Sequence, residues 1–196
     1  MLVGVVLAGG LSTRMGIDKA TLRHPGSGLS LVKHAQLSLM QAGADTTIIS
    51  SNQLPGMVAD KYPYLGPLSG IHGAFAYCNK TYPSTSGLLF LPVDMPKITP
   101  ALLTSLYEHG KSRGKASFYG RQFLPLYLPF SPIIFDYLER TLAKGENTSL
   151  KAMLTGNVAA QQLDIPTVSE DAGVFININQ PNQWADFQNT QLKSTP

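Results

Sequence analysis

Long apolar runs are missing from this 196-residue chain, and no stretch approaches the ~18 residues that a membrane-spanning helix requires. Cysteine is nearly missing as well: Cys78 stands alone, which excludes a disulfide scaffold. Charged side chains are scarce, 14% against 43% hydrophobic, and this excludes a highly charged disordered chain. Nor is there a basic stripe interleaved with aromatics, the signature of extended nucleic-acid binding. The net charge of +3 arises wholly within residues 1–98, where seven basic side chains meet four acidic ones, scattered singly. Such scatter suits a small polyanionic ligand handled by one or two cations. No basic region precedes the apolar opening at residues 1–7, which runs into Gly9-Gly10 and reads as a strand rather than a signal peptide. With a free cysteine and no export signal, the expected compartment is the reducing cytoplasm.

What is there alternates regularly. Residues 2–7 are a continuous Val-rich run, as in a strand covered on both faces. Leu31, Val32, Ala35, Leu39 and Met40 follow helical spacing within 30–41, and Gly43 is placed to end that helix. Residues 46–49 form a second strand, 68–77 a helix entered through Gly66-Pro67, and 87–91 a third strand stopped by Pro92. Thr99 and Pro100 read as N-cap and first residue of a helix reaching about residue 110. Beyond it, 116–119 and 122–128 form a hairpin around Gly120-Arg121. Residues 132–142 and 149–154 are helical, 158–163 and 174–178 are strands, and 181–187 is a closing helix. The pattern predicts one α/β Rossmann-like domain over residues 1–190. Its sheet is mostly parallel, with helices on both faces and a small antiparallel addition. A loose tail follows over 191–196.

Four segments carry chemistry. The first runs from Leu7-Ala8-Gly9-Gly10 through Arg14 to Asp18-Lys19, at the end of the first strand, where open α/β sheets bind ligands. Its glycines let the backbone turn and meet phosphate oxygens, Arg14 can fork onto phosphate, and Lys19 adds a point charge. The plainer alternative is a strand-to-helix turn with solvated cations. Neither G-x-G-x-x-G nor the P-loop pattern fits. The second is Pro92-Val93-Asp94-Met95-Pro96, a carboxylate on a stiff segment at the same sheet edge, suited to holding Mg²⁺ together with substrate phosphates or, alternatively, to capping a turn. The third, Gly66-Pro67-Leu68-Ser69-Gly70, brings backbone amides and Ser69 to a helix start. The fourth, Asn177-Ile178-Asn179-Gln180-Pro181, places two amides on one face of a strand end, to orient a metal, water or ligand or to cap the strand. No Ser-His-Asp spacing or His/Cys cluster appears. His24, His34, His72 and His109 are dispersed, His72 reads as a helix-surface residue, and Cys78 and Trp184 read as packing.

In this order and spacing the four motifs resemble those of the molybdenum cofactor guanylyltransferases, over nearly the whole chain. Gln180 stands where that family usually has threonine. The resemblance implies transfer of GMP from Mg-GTP to molybdenum-bearing molybdopterin, with release of pyrophosphate. It implies that Leu7, Ala8, Gly9 and Gly10 line the nucleotide, with Lys19 on its phosphates. Asn52 and Asp60 match positions that contact GTP, and Asp94 matches the Mg²⁺ ligand. Arg14, Lys19 and Asp94 would be the catalytic charges. Asn177 and Asn179 would serve the acceptor or orient the metal. The partners implied are GTP, molybdenum-molybdopterin, and possible recipients among cofactor-maturation proteins or apo-molybdoenzymes, with no nucleic acid and no membrane. Two alternatives remain open: a related transferase using CTP or a sugar-phosphate acceptor, and a non-catalytic nucleotide-binding protein of the same fold.

Overall fold

In the computed structural model, the Val-rich opening run forms strand β1 (Leu2–Leu7). The structure describes residues 1–9, 19, 22–53, 56–146, 148–158, 160–164 and 173–193. Leu2 and Val6 enter one apolar cluster, while Val3 and Val5 enter another on the opposite side. That split follows from the two-residue period of a strand.

Helix α1 (Leu31–Gln41) leads to β2 (Thr46–Ser50), and α2 (Pro67–Thr81) leads to β3 (Gly87–Pro92). Both strands flank β1 in parallel. After α3 (Pro100–Arg113), the hairpin of β4 (Ala116–Tyr119) and β5 (Gln122–Pro129) inserts β5 antiparallel against β3. Helix α4 (Pro132–Lys144) and the short α5 (Leu150–Ala152) precede β6 (Ala160–Leu163), which pairs parallel to β4. Helix α6 (Pro181–Lys193) closes the described chain. The strand order is β2-β1-β3-β5-β4-β6. All but β5 point the same way, so the carboxyl ends of the others lie along one edge of the sheet.

Helices cover both faces. From α1 and α3, Leu39, Leu103 and Leu106 join the cluster of Leu2 and Val6. From α2 and α4, Leu68, Ile71, Phe75 and Leu138 join that of Val3 and Val5. Fully burying a side chain of this size contributes about 1.5–3 kcal/mol. Ser30 caps α1 by accepting from the Lys33 N–H, and Thr99 caps α3 by accepting from the Leu102 N–H.

Three elements differ from the pattern reading. Residues 174–178 form no strand: 173–175 turn, and 176–179 run on without a ladder. Val174 and Phe175 are both buried and Ile176 is exposed, so the alternation of a strand is absent. Residues 149–154 give only the short α5 before a π-helical turn, Met153–Asn157. The closing helix does not stop at Phe187 but runs on through residues 188–193; the rest of the expected tail, 194–196, lies outside the described residues.

Candidate active site

Leu7 ends β1 between Ser50 of β2 and Pro92 of β3. Pairing continues one step further: the Ala8 N–H donates to the Ser50 carbonyl at 2.9 Å, and the Val93 N–H to the Leu7 carbonyl at 3.0 Å. Asp94 is thereby fixed beside the end of β1. Gly9 is exposed, and among the described residues a Cβ there would meet nothing nearer than the Ser50 carbonyl and Ser51 Cα at 4.0 Å.

Lys19 points into this place. Its Nζ lies 3.6 Å from Asp94 Oδ2 and donates to Asn179 Oδ1 at 2.5 Å. The side chains of Lys19 and Asp94 are only 13% and 25% exposed. Burial pushes the Asp94 carboxyl above its ordinary pKa, and the Lys19 ammonium opposes that shift. The closing motif is tied to the same spot, because the Ile178 N–H donates to the Asp94 carbonyl at 2.8 Å. Gln183 Oε1 accepts from the N–H groups of Asn179 and Gln180 at 2.8 and 3.0 Å, which fixes the approach to α6. Asn177 is exposed. Gly10 and Arg14 lie outside the described residues.

Asn52 and Asp60 form a separate pair at the carboxyl end of β2. The chain folds back there, with the Val58 N–H donating to the Ile49 carbonyl at 2.9 Å and the Ser51 N–H to the Val58 carbonyl at 3.0 Å. Asn52 Nδ2 donates to Asp60 Oδ2 at 2.9 Å, and the Asp60 N–H donates to Asn52 Oδ1 at 2.7 Å. Burial raises the Asp60 pKa; the Asn52 hydrogen bond and nearby His72 oppose it.

The third motif docks α2 onto this edge. Gly66 adopts φ +75°, a left-handed conformation that glycine takes without strain, and Pro67 follows as the first helical residue. At Gly70 a Cβ would stand 2.7 Å from Ser50 Oγ and 3.1 Å from Leu7 Cδ2. This close approach accounts for the second glycine. Ser69, expected at an open helix start, is instead fully buried.

Two histidine clusters escape the pattern reading. His72 is buried, not at the helix surface, and its Nε2 meets Glu139 Oε2 at 2.5 Å. The signal was present in the spacing: Leu68, His72 and Phe75 share the inward face of α2, as helical periodicity requires. His24 and His34, far from dispersed, stack with ring centroids 3.7 Å apart. Trp184 and Phe187 pack at 5.6 Å, and Cys78 is buried, as expected of both. A cavity of about 530 Å³ lies between the start of α3 and the ends of β4 and β6, lined by residues including Leu102, Tyr119, Gln161 and Asp164.

Residues 4–162 match the model of the MobA-like NTP transferase domain. The chain is 36% identical over 183 residues to a molybdenum cofactor guanylyltransferase of Xanthomonas euvesicatoria pv. vesicatoria, covering 93% of this chain and 92% of that one. The chain belongs to the molybdenum cofactor guanylyltransferase family. A second member, from Rhizobium rhizogenes, is 30% identical over 205 residues and covers 97% of this chain and 94% of its own. Among solved structures, molybdopterin-guanine dinucleotide biosynthesis protein A from Archaeoglobus fulgidus superposes with a TM-score of 0.75. It is 20% identical and covers 98% of this chain and all of its own. Family membership makes the protein a nucleotidyltransferase with the family's Rossmann-like α/β domain.

Proposed function

We propose that the chain transfers GMP from Mg-GTP to molybdenum-bearing molybdopterin, releasing pyrophosphate. The observation that carries this reading is the convergence of Lys19, Asp94 and Asn179 by the end of β1, at the carboxyl edge of a mostly parallel sheet. The two relatives named above are both called molybdenum cofactor guanylyltransferases. A phosphate oxygen of the acceptor attacks the α-phosphorus of GTP; a new P–O bond forms there as the bond from the α-phosphorus to the α,β-bridging oxygen breaks, and the β- and γ-phosphates depart as pyrophosphate. Both partners in this step are anionic, so catalysis is chiefly positioning and neutralisation. Lys19 supplies positive charge to the phosphates, with Asn179 holding the ammonium in place. The backbone at Leu7, Ala8 and Gly9 lines the nucleotide, and the family resemblance assigns Gly10 and Arg14 to the same phosphate-binding motif. Asn52 and Asp60 meet the rest of the nucleotide, and Asn177 faces the acceptor.

Asp94 fits a Mg²⁺ ligand. Mg²⁺ is commonly held by one or two carboxylates plus substrate phosphates, and Asp94 is one partly buried carboxylate at the strand ends. Bound there, Mg²⁺ would offset charge on the triphosphate.

The test is a binding titration with Mg-GTP, Mg-CTP and Mg-ATP, followed by pyrophosphate release in the presence of molybdopterin carrying molybdenum. Preference for GTP and acceptor-dependent pyrophosphate are the expected results. Preference for CTP would replace guanylyl by cytidylyl transfer, and binding without turnover would point to a non-catalytic nucleotide-binding protein.

A further inference from the structure

Glu139 sits on α4, the helix that packs beside α2. Its carboxylate gathers three donors. Oε1 accepts from Tyr62 Oη at 2.7 Å and from Lys61 Nζ at 2.5 Å, while Oε2 meets His72 Nε2 at 2.5 Å. Lys61 and Tyr62 directly follow Asp60, so this one carboxylate fastens the chain at the point where the Asn52–Asp60 pair is made. His72 is 1% exposed, with Phe135 stacked on its ring at 5.2 Å and Tyr62 edge-on at 5.4 Å. Two polar atoms of the group, His72 Nδ1 and Asp60 Oδ1, are buried without a hydrogen-bond partner among the described residues.

We infer that Glu139 and His72 are positioning residues of the nucleotide site, His72 orienting the Glu139 carboxylate and Glu139 acting through Lys61 and Tyr62 to hold the Asn52–Asp60 pair in its binding geometry. The inference rests on the proposed reading, in which that pair meets the nucleotide. Its physical basis is the chemistry of the buried position. The inward face of α2 otherwise carries Leu68, Ile71 and Phe75, and an apolar residue at position 72 would fill the same space without desolvating an imidazole. The imidazole instead stands with the Glu139 carboxylate on its Nε2 side. Charged or titratable groups of the cluster are Tyr62 and Lys61 from the loop and Glu139 from α4. Asn52 fixes the Asp60 side chain, while Glu139 holds Lys61 and Tyr62 directly beyond it.

The experiment begins with unaltered protein and Mg-GTP. Failure of the wild type to bind Mg-GTP would overturn the nucleotide reading itself. Given wild-type binding, Glu139→Gln and His72→Phe are expected to weaken the Mg-GTP Kd about tenfold, with kcat at saturating GTP and the acceptor KM within about twofold. A merely structural clamp would lower Tm and leave the Kd unchanged, and that result overturns the inference.

Discussion

Asp94 has the most demanding position of any charged side chain at the site. It is partly buried, its main chain is pinned to Ile178, and its carboxylate lies 3.6 Å from Lys19. Asp94→Asn keeps the shape and removes the charge. Turnover is expected to fall about a thousandfold or more with little change in Tm, measured by pyrophosphate release and thermal denaturation. An active Asp94→Asn enzyme would remove the proposed metal role. Lys19→Ala deletes a cation whose contact with phosphate is charge-assisted, so the apparent KM for GTP is expected to rise about tenfold or more. Asn179→Ala leaves that ammonium in place but loosens it, and a smaller rise in the same constant is expected. Equal effects of the two substitutions would mean that Asn179 itself touches the nucleotide.

The docking of α2 is settled by a single missing methyl group. In Gly70→Ala the new Cβ would press on Ser50 Oγ at 2.7 Å, and the helix must shift away from the ends of β1 and β2. Overpacking of this kind costs about 1–3 kcal/mol, which for a chain of this size lowers Tm by about 2–4 °C per kcal/mol. Adding Ser50→Ala removes the nearest obstacle, so the double variant is expected to recover part of the loss in a thermal melt. This element also shows where sequence reading succeeds and stops. Gly66-Pro67 announced the helix start, whereas its buried face, carried by the period of Leu68, Ile71 and Phe75, went unread, and His72 was expected at the surface. The burial of His72 followed from that same period, yet its partner Glu139 lies 67 residues away and no local pattern joins them. The convergence of Lys19 with Asn179, 160 residues apart, is likewise set by topology rather than by spacing. The alternating core strands β1 and β3 were legible because burial on both faces leaves a continuous apolar run. Residues 174–178 imitate such a run, but their apolar side chains fill a turn that packs against Tyr119.

For the molecule as a whole, acid should act in two separate steps. The His24 pKa is lowered from 6.5 to about 4, first by burial and then by the stacked His34, with the Pro96 carbonyl opposing. Between these values the unfolded chain binds a proton that the native His24 refuses. Stability therefore declines as pH falls from 6.5 towards 4 and is insensitive to this group below that. Glu139 behaves differently: hydrogen bonds from Lys61 and Tyr62 hold its carboxyl down to about 2. Its contribution is complete above the ordinary value of 4.5 and is lost as pH falls through about 2. Urea unfolding at closely spaced pH values is expected to resolve both windows. His24→Gln should shrink the upper one, leaving the share of His34, whose pKa burial also lowers, and Glu139→Gln should flatten the lower one alone. A curve that His24→Gln leaves unaltered would show that the stacked pair plays no part in acid sensitivity.

The lone antiparallel strand β5 has a consequence for how much bench space the fold offers. By running backwards between β3 and β4, it lets the chain append β4 and β6 without turning their tips to the opposite rim. With neighbouring strands about 4.8 Å apart, the rim from β2 to β6 extends for roughly 24 Å. Lys19, Asp94 and the Asn52–Asp60 pair occupy its β2-β1-β3 half, and the 530 Å³ cavity opens by the tips of β4 and β6. Two sizeable reactants can thus be berthed side by side on one ledge, without either having to cross the sheet to reach the other.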